Sequence, residues 1–193
     1  MDSTDEHLTV REVVLLVVDA AGGKLETRTT VQKLTYFAGL AIDENLGHHA
    51  HYYGPYSRPV ESALVNSAFA GDLAESVESL HSWSGADVRK FNYSLSDQGR
   101  AEVARIRLEQ PTLSANIDNI VERLGKLVPG WAQHPLSLAA KVDYIASQEG
   151  GEVSASTIPG LARGFGWNVS PDDVEQSVAV LVGLGRAQAP SSA

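Results

Sequence analysis

Three histidines within four residues are the first feature of the sequence that suggests chemistry. His48, His49 and His51 carry imidazole nitrogens, which are common ligands of zinc and copper. Their spacing, however, does not place two ligands one helical turn apart, and no cysteine or carboxylate motif accompanies them. A metal site and an exposed loop are both compatible with the pattern. The exposed loop is favoured, and we predict no bound metal.

The sequence contains no recognisable enzyme motif. There is no cysteine, which excludes a thiolate nucleophile, a disulfide framework and a cysteine-based zinc site. The glycine patterns of phosphate-binding and dinucleotide-binding loops are missing, as is the serine-centred turn of the hydrolases. We therefore predict a protein without catalytic activity and without a cofactor.

A set of basic and polar residues could bind nucleic acid. Small polar side chains occur at the start of a predicted helix, where recognition helices contact bases, and cations on a following hairpin could contact phosphate. The net charge of −9 argues against non-specific DNA binding. Ordinary solvated surface charges are the favoured alternative. The candidates are Arg28, Thr30, Gln32, Lys33, Arg58, Arg89 and Lys90.

An aromatic and glycine-rich segment, His48 to Ser57, precedes the third predicted helix, and we call it the aromatic corner. Gly54 and Pro55 form a rigid turn because proline fixes its own φ angle. We expect Tyr52 and Tyr53 to cover the core between the second and third helices, and Tyr56 to set the entry of the third helix. This motif is explained as structure without any ligand, but the three tyrosines are also our candidates for binding a partner.

The elements that must position these residues are predicted to be mainly helical. Helical apolar spacing and capping residues alternate with a segment of period two, which indicates a strand hairpin. Three helices followed by a hairpin is the layout of a winged helix, with the hairpin as the wing. The predicted helices cover residues 9–21, 29–44, 57–70 and 97–109, a short extended piece lies near Leu25, and the strands lie at 73–80 and 88–95 with a turn at 84–87.

The sequence pattern after residue 110 predicts a second structural unit. Residues 111–114 resemble a joint, so we predict a winged-helix-like domain over 1–110 and a smaller helical unit over 111–193. That unit could form a second helix-turn-helix-like module, and its tail from Ala189 is expected to be disordered. Its helices are predicted at 114–127, 137–148, 155–164 and 171–183.

Three segments of the first unit resemble the Panacea-domain family, which includes SocA-type antitoxins and YwgA-like proteins. Residues 30–38 (TVQKLTYFA) are similar to the family's "LQKLLYFA" helix, and residues 51–57 (HYYGPYS) to its "GPYS" element. Residues 91–99 (FNYSLSDQG) are similar to its strand-to-helix passage. The resemblance covers roughly residues 8–110. It implies a winged-helix-like fold and a non-enzymatic role, since such antitoxins bind a toxin and some deliver it to a protease.

These observations lead to two hypotheses. The first is a cytoplasmic, prokaryotic regulatory protein that binds a protein partner, either a toxin or a client for protease delivery. It predicts an exposed aromatic patch around the three tyrosines. The alternative is a winged-helix DNA-binding transcription regulator, which predicts that the candidate cations share one face. Either could be a homodimer. No membrane association is expected, because the apolar run at 13–18 is too short to span a bilayer and the N-terminus lacks a basic signal region.

Overall fold

A computed structural model describes residues 7–81, 87–151 and 153–187. The chain within these ranges is mainly helical, with a short 3₁₀ turn at Pro129–Trp131. In chain order the elements are α1 (Val10–Ala20), β1 (Lys24–Glu26), α2 (Arg28–Ala41), α3 (Arg58–Ala70), β2 (Leu73–His81), β3 (Asp87–Leu95), α4 (Asp97–Glu109), α5 (Pro111–Leu127), α6 (Gln133–Gln148), α7 (Ile158–Gly164) and α8 (Pro171–Gly183).

The strands form one antiparallel sheet in the order β1-β3-β2. Tyr93 of β3 lies opposite Leu25 of β1, and Phe91 lies opposite Val77 of β2. A mainly α fold with a β-hairpin is therefore confirmed, whereas the narrower winged-helix assignment stays a prediction. The predicted turn at 84–87 falls largely outside the described residues, and the predicted disordered tail falls wholly outside them.

Capping residues explain where the early helices begin and end. Thr9 and Glu12 form the predicted capping box of α1, in which each side chain binds the backbone N–H of the other residue. The hydroxyl of Ser57 accepts from the N–H of Val60 and starts α3. Gly71 ends α3 with a φ of 86°, a left-handed conformation that glycine adopts without a steric penalty.

Several predicted helix boundaries in the second unit were wrong. The proposed joint at 111–114 is the first turn of α5, because proline is well tolerated at the start of a helix, where its missing N–H has no partner to lose. The next two helices begin at Gln133 and Ile158 instead of residues 137 and 155. In the first unit, α2 ends at Ala41, ahead of Asp43, whose positive φ of 56° is incompatible with a continuing helix.

Two helices occupy the centre of the molecule. Six consecutive residues of α1, Val13–Val18, are fully buried, because α2, α3, α4 and α5 all pack against this helix. In α2, every residue from Thr30 to Gly39 is buried as well. A helix that is buried on all sides exposes no face to solvent. The central position of α2 consequently decides what its polar residues can do.

The regions before and after residue 110 pack against each other. Helix α5 lies against α1 and α2, and α6 lies against α2 and α8. Apolar side chains from both regions belong to one hydrophobic core. Within the described part of the chain, no helix is both long enough and apolar enough to cross a membrane.

Candidate functional site

Polar side chains of α2 form hydrogen bonds with the backbone of the aromatic corner. Thr30, Gln32 and Lys33 were candidates for contacting DNA, but each is at most 3% exposed. A side chain buried under other elements cannot reach a base edge in the major groove, so this part of the DNA-binding surface was wrongly predicted. Two of these residues, Gln32 and Lys33, instead bind the backbone of the corner.

Gln32 fixes the end of the corner through both ends of its side-chain amide. Its Oε1 accepts from the N–H of Ser57 at 2.7 Å, and its Nε2 donates to the carbonyl of the same residue at 2.9 Å. The Ser57 hydroxyl also donates to the carbonyl of Leu46. Both Gln32 and Ser57 are buried, so these bonds satisfy backbone groups that water cannot reach.

Lys33 holds the middle of the same corner. Its Nζ donates to the carbonyl of Pro55 at 2.6 Å, and its chain packs against Gly54. Lys141 of α6 also packs against Gly54, and a Cβ on this glycine would lie 3.1 Å from Lys141 Cγ and 3.3 Å from Lys33 Cε. Burial, followed by the charge of Lys141, lowers the pKa of Lys33 to about 7. The backbone of the corner is therefore held by a lysine that loses its proton near neutral pH.

The buried lysine predicts a specific pH dependence of stability. Between pH 7 and 10 the unfolded chain protonates this lysine and the folded chain does not, so the free energy of unfolding should rise with pH. Replacement by methionine in Lys33→Met removes the titrating group. We expect the wild type to gain about 1 kcal/mol per pH unit relative to this variant between pH 7.5 and 9.5. Urea denaturation across that range measures the difference.

The same substitution at an exposed lysine of α5, Lys126→Met, serves as the control and should reproduce the wild-type pH profile. Parallel profiles for the wild type and Lys33→Met would contradict the assignment of a neutral lysine to the corner.

The second region of the chain also holds the corner in place. The indole Nε1 of Trp167, which follows α7, donates to the carbonyl of His51 at 2.6 Å. Trp167 is almost fully buried, and Lys141 lies over its ring. Gln133 at the start of α6 donates to Thr27, the residue that caps α2. Sequence patterns gave no signal for the two hydrogen bonds, because each joins residues more than a hundred positions apart.

The three histidines contribute to the corner in different ways. His48 is half-buried and its Nε2 lies 3.2 Å from the carbonyl of Gln32. Burial lowers the pKa of His48 to about 4, so its ring is neutral at physiological pH. His49 pairs through its backbone with Tyr56, and His51 packs against the Tyr56 ring. Among the described residues, no group of three or more His, Asp or Glu side chains is placed to hold a metal ion.

Two tyrosines of the corner point into solvent. Tyr52 is 74% exposed and Tyr53 is 60% exposed, with their rings 4.9 Å apart in an edge-to-face arrangement. The expectation that they cover the core between the second and third helices was therefore wrong. The turn at Gly54 and Pro55 is buried and directs the two preceding side chains outward. Tyr56 is half-buried and stays close to the corner itself.

A cleft opens beside Tyr53, between the sheet and the start of α6. Its volume is about 1150 Å³, and it is lined by β1, the first turn of α2, part of β3 and the segment that leads into α6. We call it the cationic cleft. Glu26 is the one carboxylate among the described residues that line it. Its Lys and Arg side chains are Lys24, Arg28, Arg89, Lys90 and Lys141.

The cations of the cleft differ in how closely they are paired with carboxylates. Lys90 pairs with Glu26, and the pair raises the pKa of the lysine. Arg28 donates to the Tyr93 hydroxyl, stacks over Phe91 and lies 3.6 Å or more from its nearest carboxylates. Within residues 7–81, 87–151 and 153–187, neither Lys24 nor Lys141 forms an ion pair.

Backbone strain also occurs along the cleft. Of the non-glycine residues with a positive φ in the described ranges, Thr27 (64°) and Trp131 (54°) both line it. Such conformations cost of the order of 1–3 kcal/mol and are common where a binding surface is held in a fixed shape. The hydrogen bond from Gln133 to Thr27 spans this strained edge.

The remaining DNA-binding candidates are only partly brought together. Arg28, Arg89 and Lys90 line the cleft, whereas Arg58 is exposed at the start of α3 outside it. The outward face of α3, which carries no Lys or Arg after Arg58, exposes Ser62, Val65, Asn66 and Phe69. Phe69 is 94% exposed. This face lacks the basic side chains with which a recognition helix reads bases and phosphates.

Comparison with known proteins gives no family assignment: no protein-family model matches the chain, and no curated protein matches it significantly by sequence.

Proposed function

We propose that this protein is a non-enzymatic regulator that binds a protein partner through Tyr52, Tyr53 and the adjoining cationic cleft. The resemblance to Panacea-domain antitoxins implies a toxin, or a client for protease delivery, as the partner, met in the prokaryotic cytoplasm. The observation that carries the proposal is the exposure of two neighbouring tyrosines on a corner whose backbone is fixed from beneath by Gln32 and Lys33.

This arrangement matches the physical requirements of an interface. Tyrosine is enriched among the residues that dominate binding energy, because it buries a large surface while its phenol keeps a polar contact. Binding is strengthened when the binding residues are already held in place, since less conformational entropy is lost. Solvent exposure of two adjacent rings is costly for a protein that never covers them. A rigid corner with exposed aromatic rings therefore favours a protein partner.

DNA binding by a transcription regulator is the second candidate. It is supported by the position of Arg28, Arg89 and Lys90 along one cleft beside the hairpin. Against it stand the burial of α2 from Thr30 to Gly39 and the absence of Lys and Arg from α3 after Arg58, so neither helix presents a row of basic side chains to the major groove.

Affinity capture from the native host distinguishes the two. The tagged protein is recovered from extract that has been split into nuclease-treated and untreated halves. We expect one protein to be recovered in near-equal amount from both halves. The double variant Tyr52→Ser/Tyr53→Ser should lose it, because truncating an aromatic residue that dominates an interface costs about 2 kcal/mol or more.

The matched control is Leu108→Ser, which removes an exposed apolar side chain from α4. This variant should capture the partner as the wild type does. Specific DNA recovered only from the untreated half, with no protein in the treated half, would refute the proposal and favour the transcription regulator.

A further inference from the structure

We infer that the cationic cleft binds an extended acidic segment of the protein partner. The inference rests on the proposed function and specifies the chemistry of the partner. It is supported by the charge of the cleft, by lysines that form no ion pair within the described part of the chain and by the shape of the cavity.

The charge balance of the cleft is the reverse of that of the whole chain. The chain has 24 acidic residues against 15 Lys and Arg, yet the described lining of the cleft holds five of those cations and one carboxylate, that of Glu26. On an acidic protein, such a concave concentration of cations creates a local positive field that attracts anions of matching shape. Repulsion from the remaining surface then limits binding to this one region.

Two lysines in and beneath the cleft form no ion pair with any residue that the structure describes. Lys141 and the buried Lys33 both pack against Gly54, and the charge of Lys141 contributes to lowering the pKa of Lys33. Burial also lowers the pKa of Lys141, and the distant carboxylate of Asp173 offsets this only in part. A carboxylate bound in the cleft would supply the missing negative charge and would form shorter, charge-assisted hydrogen bonds.

The shape of the cleft fits a peptide better than a DNA duplex. A volume of about 1150 Å³ holds a few residues of an extended chain, since pockets for small ligands typically measure about 300–1000 Å³. A DNA duplex needs an element that protrudes into a groove about 12 Å wide. Single strands stack their bases on aromatic faces; Arg28 covers the ring of Phe91 at 3.9 Å, but Tyr53 and Trp131 also line the cleft, so the experiment also tests a single strand.

Binding of a defined acidic peptide tests the inference on the full chain. Fluorescein-labelled decaglutamate is titrated with the protein at low salt, and fluorescence anisotropy is measured. Decaglutamine is the uncharged control, and a mixed DNA duplex and decathymidylate are the nucleic-acid probes. We expect saturable binding of decaglutamate alone, weakened by salt. The variant Lys24→Gln/Lys141→Gln should weaken it at least about tenfold, which corresponds to a loss of about 1.4 kcal/mol.

The control variant is Lys126→Gln/Arg163→Gln, which removes the same two charges from exposed positions outside the cleft. It should bind decaglutamate as the wild type does. Equal loss in both double variants, no binding of decaglutamate up to millimolar concentration, or tighter binding of either nucleic acid would overturn the inference.

Failure here is distinguishable from failure of the proposed function. If a protein is captured through Tyr52 and Tyr53 but decaglutamate does not bind, the proposed function is supported and the inference of an acidic segment is refuted. Decaglutamate bound through Lys24 and Lys141, with no protein captured, would support the acidic-ligand chemistry of the cleft and refute the protein-binding regulator.

Discussion

Replacing Asp143 with alanine should destabilise the protein by about 3 kcal/mol. Asp143 of α6 is almost fully buried and accepts from the Tyr36 hydroxyl of α2 at 2.7 Å. It also accepts from Nε of Arg186, which follows α8, at 2.7 Å. The Asp143 carboxylate therefore connects α2, which precedes residue 110, with α6 and with the segment that follows α8.

The size of the effect follows from what the substitution leaves behind. Removing one member of a buried ion pair typically costs about 3–5 kcal/mol, because the partner charge loses its compensation. Burial alone would lower the pKa of Arg186, but the hydrogen bond and charge of Asp143 outweigh it and raise that pKa. Because the Arg186 side chain is about one-third exposed, it can recover some hydration, and the expected loss lies at the lower end of the range.

Urea denaturation of Asp143→Ala, with Asp172→Ala as the control at an exposed position of α8, measures this loss. The control should change stability by less than about 1 kcal/mol. A double-mutant cycle with Tyr36→Phe should give a coupling energy of about 1 kcal/mol or more, since the two groups share a buried hydrogen bond. Independent effects, or a loss below 1 kcal/mol for Asp143→Ala, would show that this contact does not join the two regions.

Replacing Gln32 with leucine should cost about 2–3 kcal/mol and loosen the aromatic corner. Leucine has a similar volume but leaves the buried N–H of Ser57 without a partner, and an unsatisfied buried backbone group costs about 1–3 kcal/mol. The carbonyl of Ser57 loses one of its two donors and keeps the N–H of Glu61. Hydrogen exchange should therefore accelerate at residues 49–57 more than in α1.

The matched control is Gln148→Leu at an exposed position of α6, which should leave both stability and exchange near the wild-type values. If Gln32→Leu lost stability without faster exchange at the corner, Gln32 would contribute to the core and would not be the residue that fixes the binding surface.

Local sequence signals were sufficient to predict most of the fold. The capping box at Thr9, the proline after Ser57 and the glycine at position 71 act through neighbours within a few residues, so their effects can be deduced without tertiary structure. The start of α5 at Pro111 could not be separated from a joint, because proline is frequent both at helix starts and in linkers.

The site was less predictable, because its residues act through long-range contacts. Thr30, Gln32 and Lys33 have the composition of an exposed recognition helix, but they are buried because α1, α5 and α6 all pack against α2. Polar residues at consecutive positions usually indicate solvent exposure, so the buried role of Lys33 had no sequence signal apart from the family resemblance.

The cationic cleft likewise depends on tertiary structure. Arg28, Arg89 and Lys90 were identified from their places on the predicted helix and hairpin. Lys24 and Lys141 were not identified, because Lys24 on β1 and Lys141 on α6 are separated by more than a hundred residues in the sequence. In a chain with net charge −9, a local excess of cations becomes apparent only when distant segments are brought together.

Site-specific photo-crosslinking tests the central claim most directly. Tyr53 is replaced by p-benzoylphenylalanine in the otherwise wild-type chain, which is expressed in its native host and irradiated. Leu108, an exposed residue of α4, receives the same group in a parallel sample. The account predicts one discrete, nuclease-resistant protein adduct from position 53 and none from position 108. No adduct at position 53, the same adducts from both positions, or an adduct that nuclease removes would contradict it.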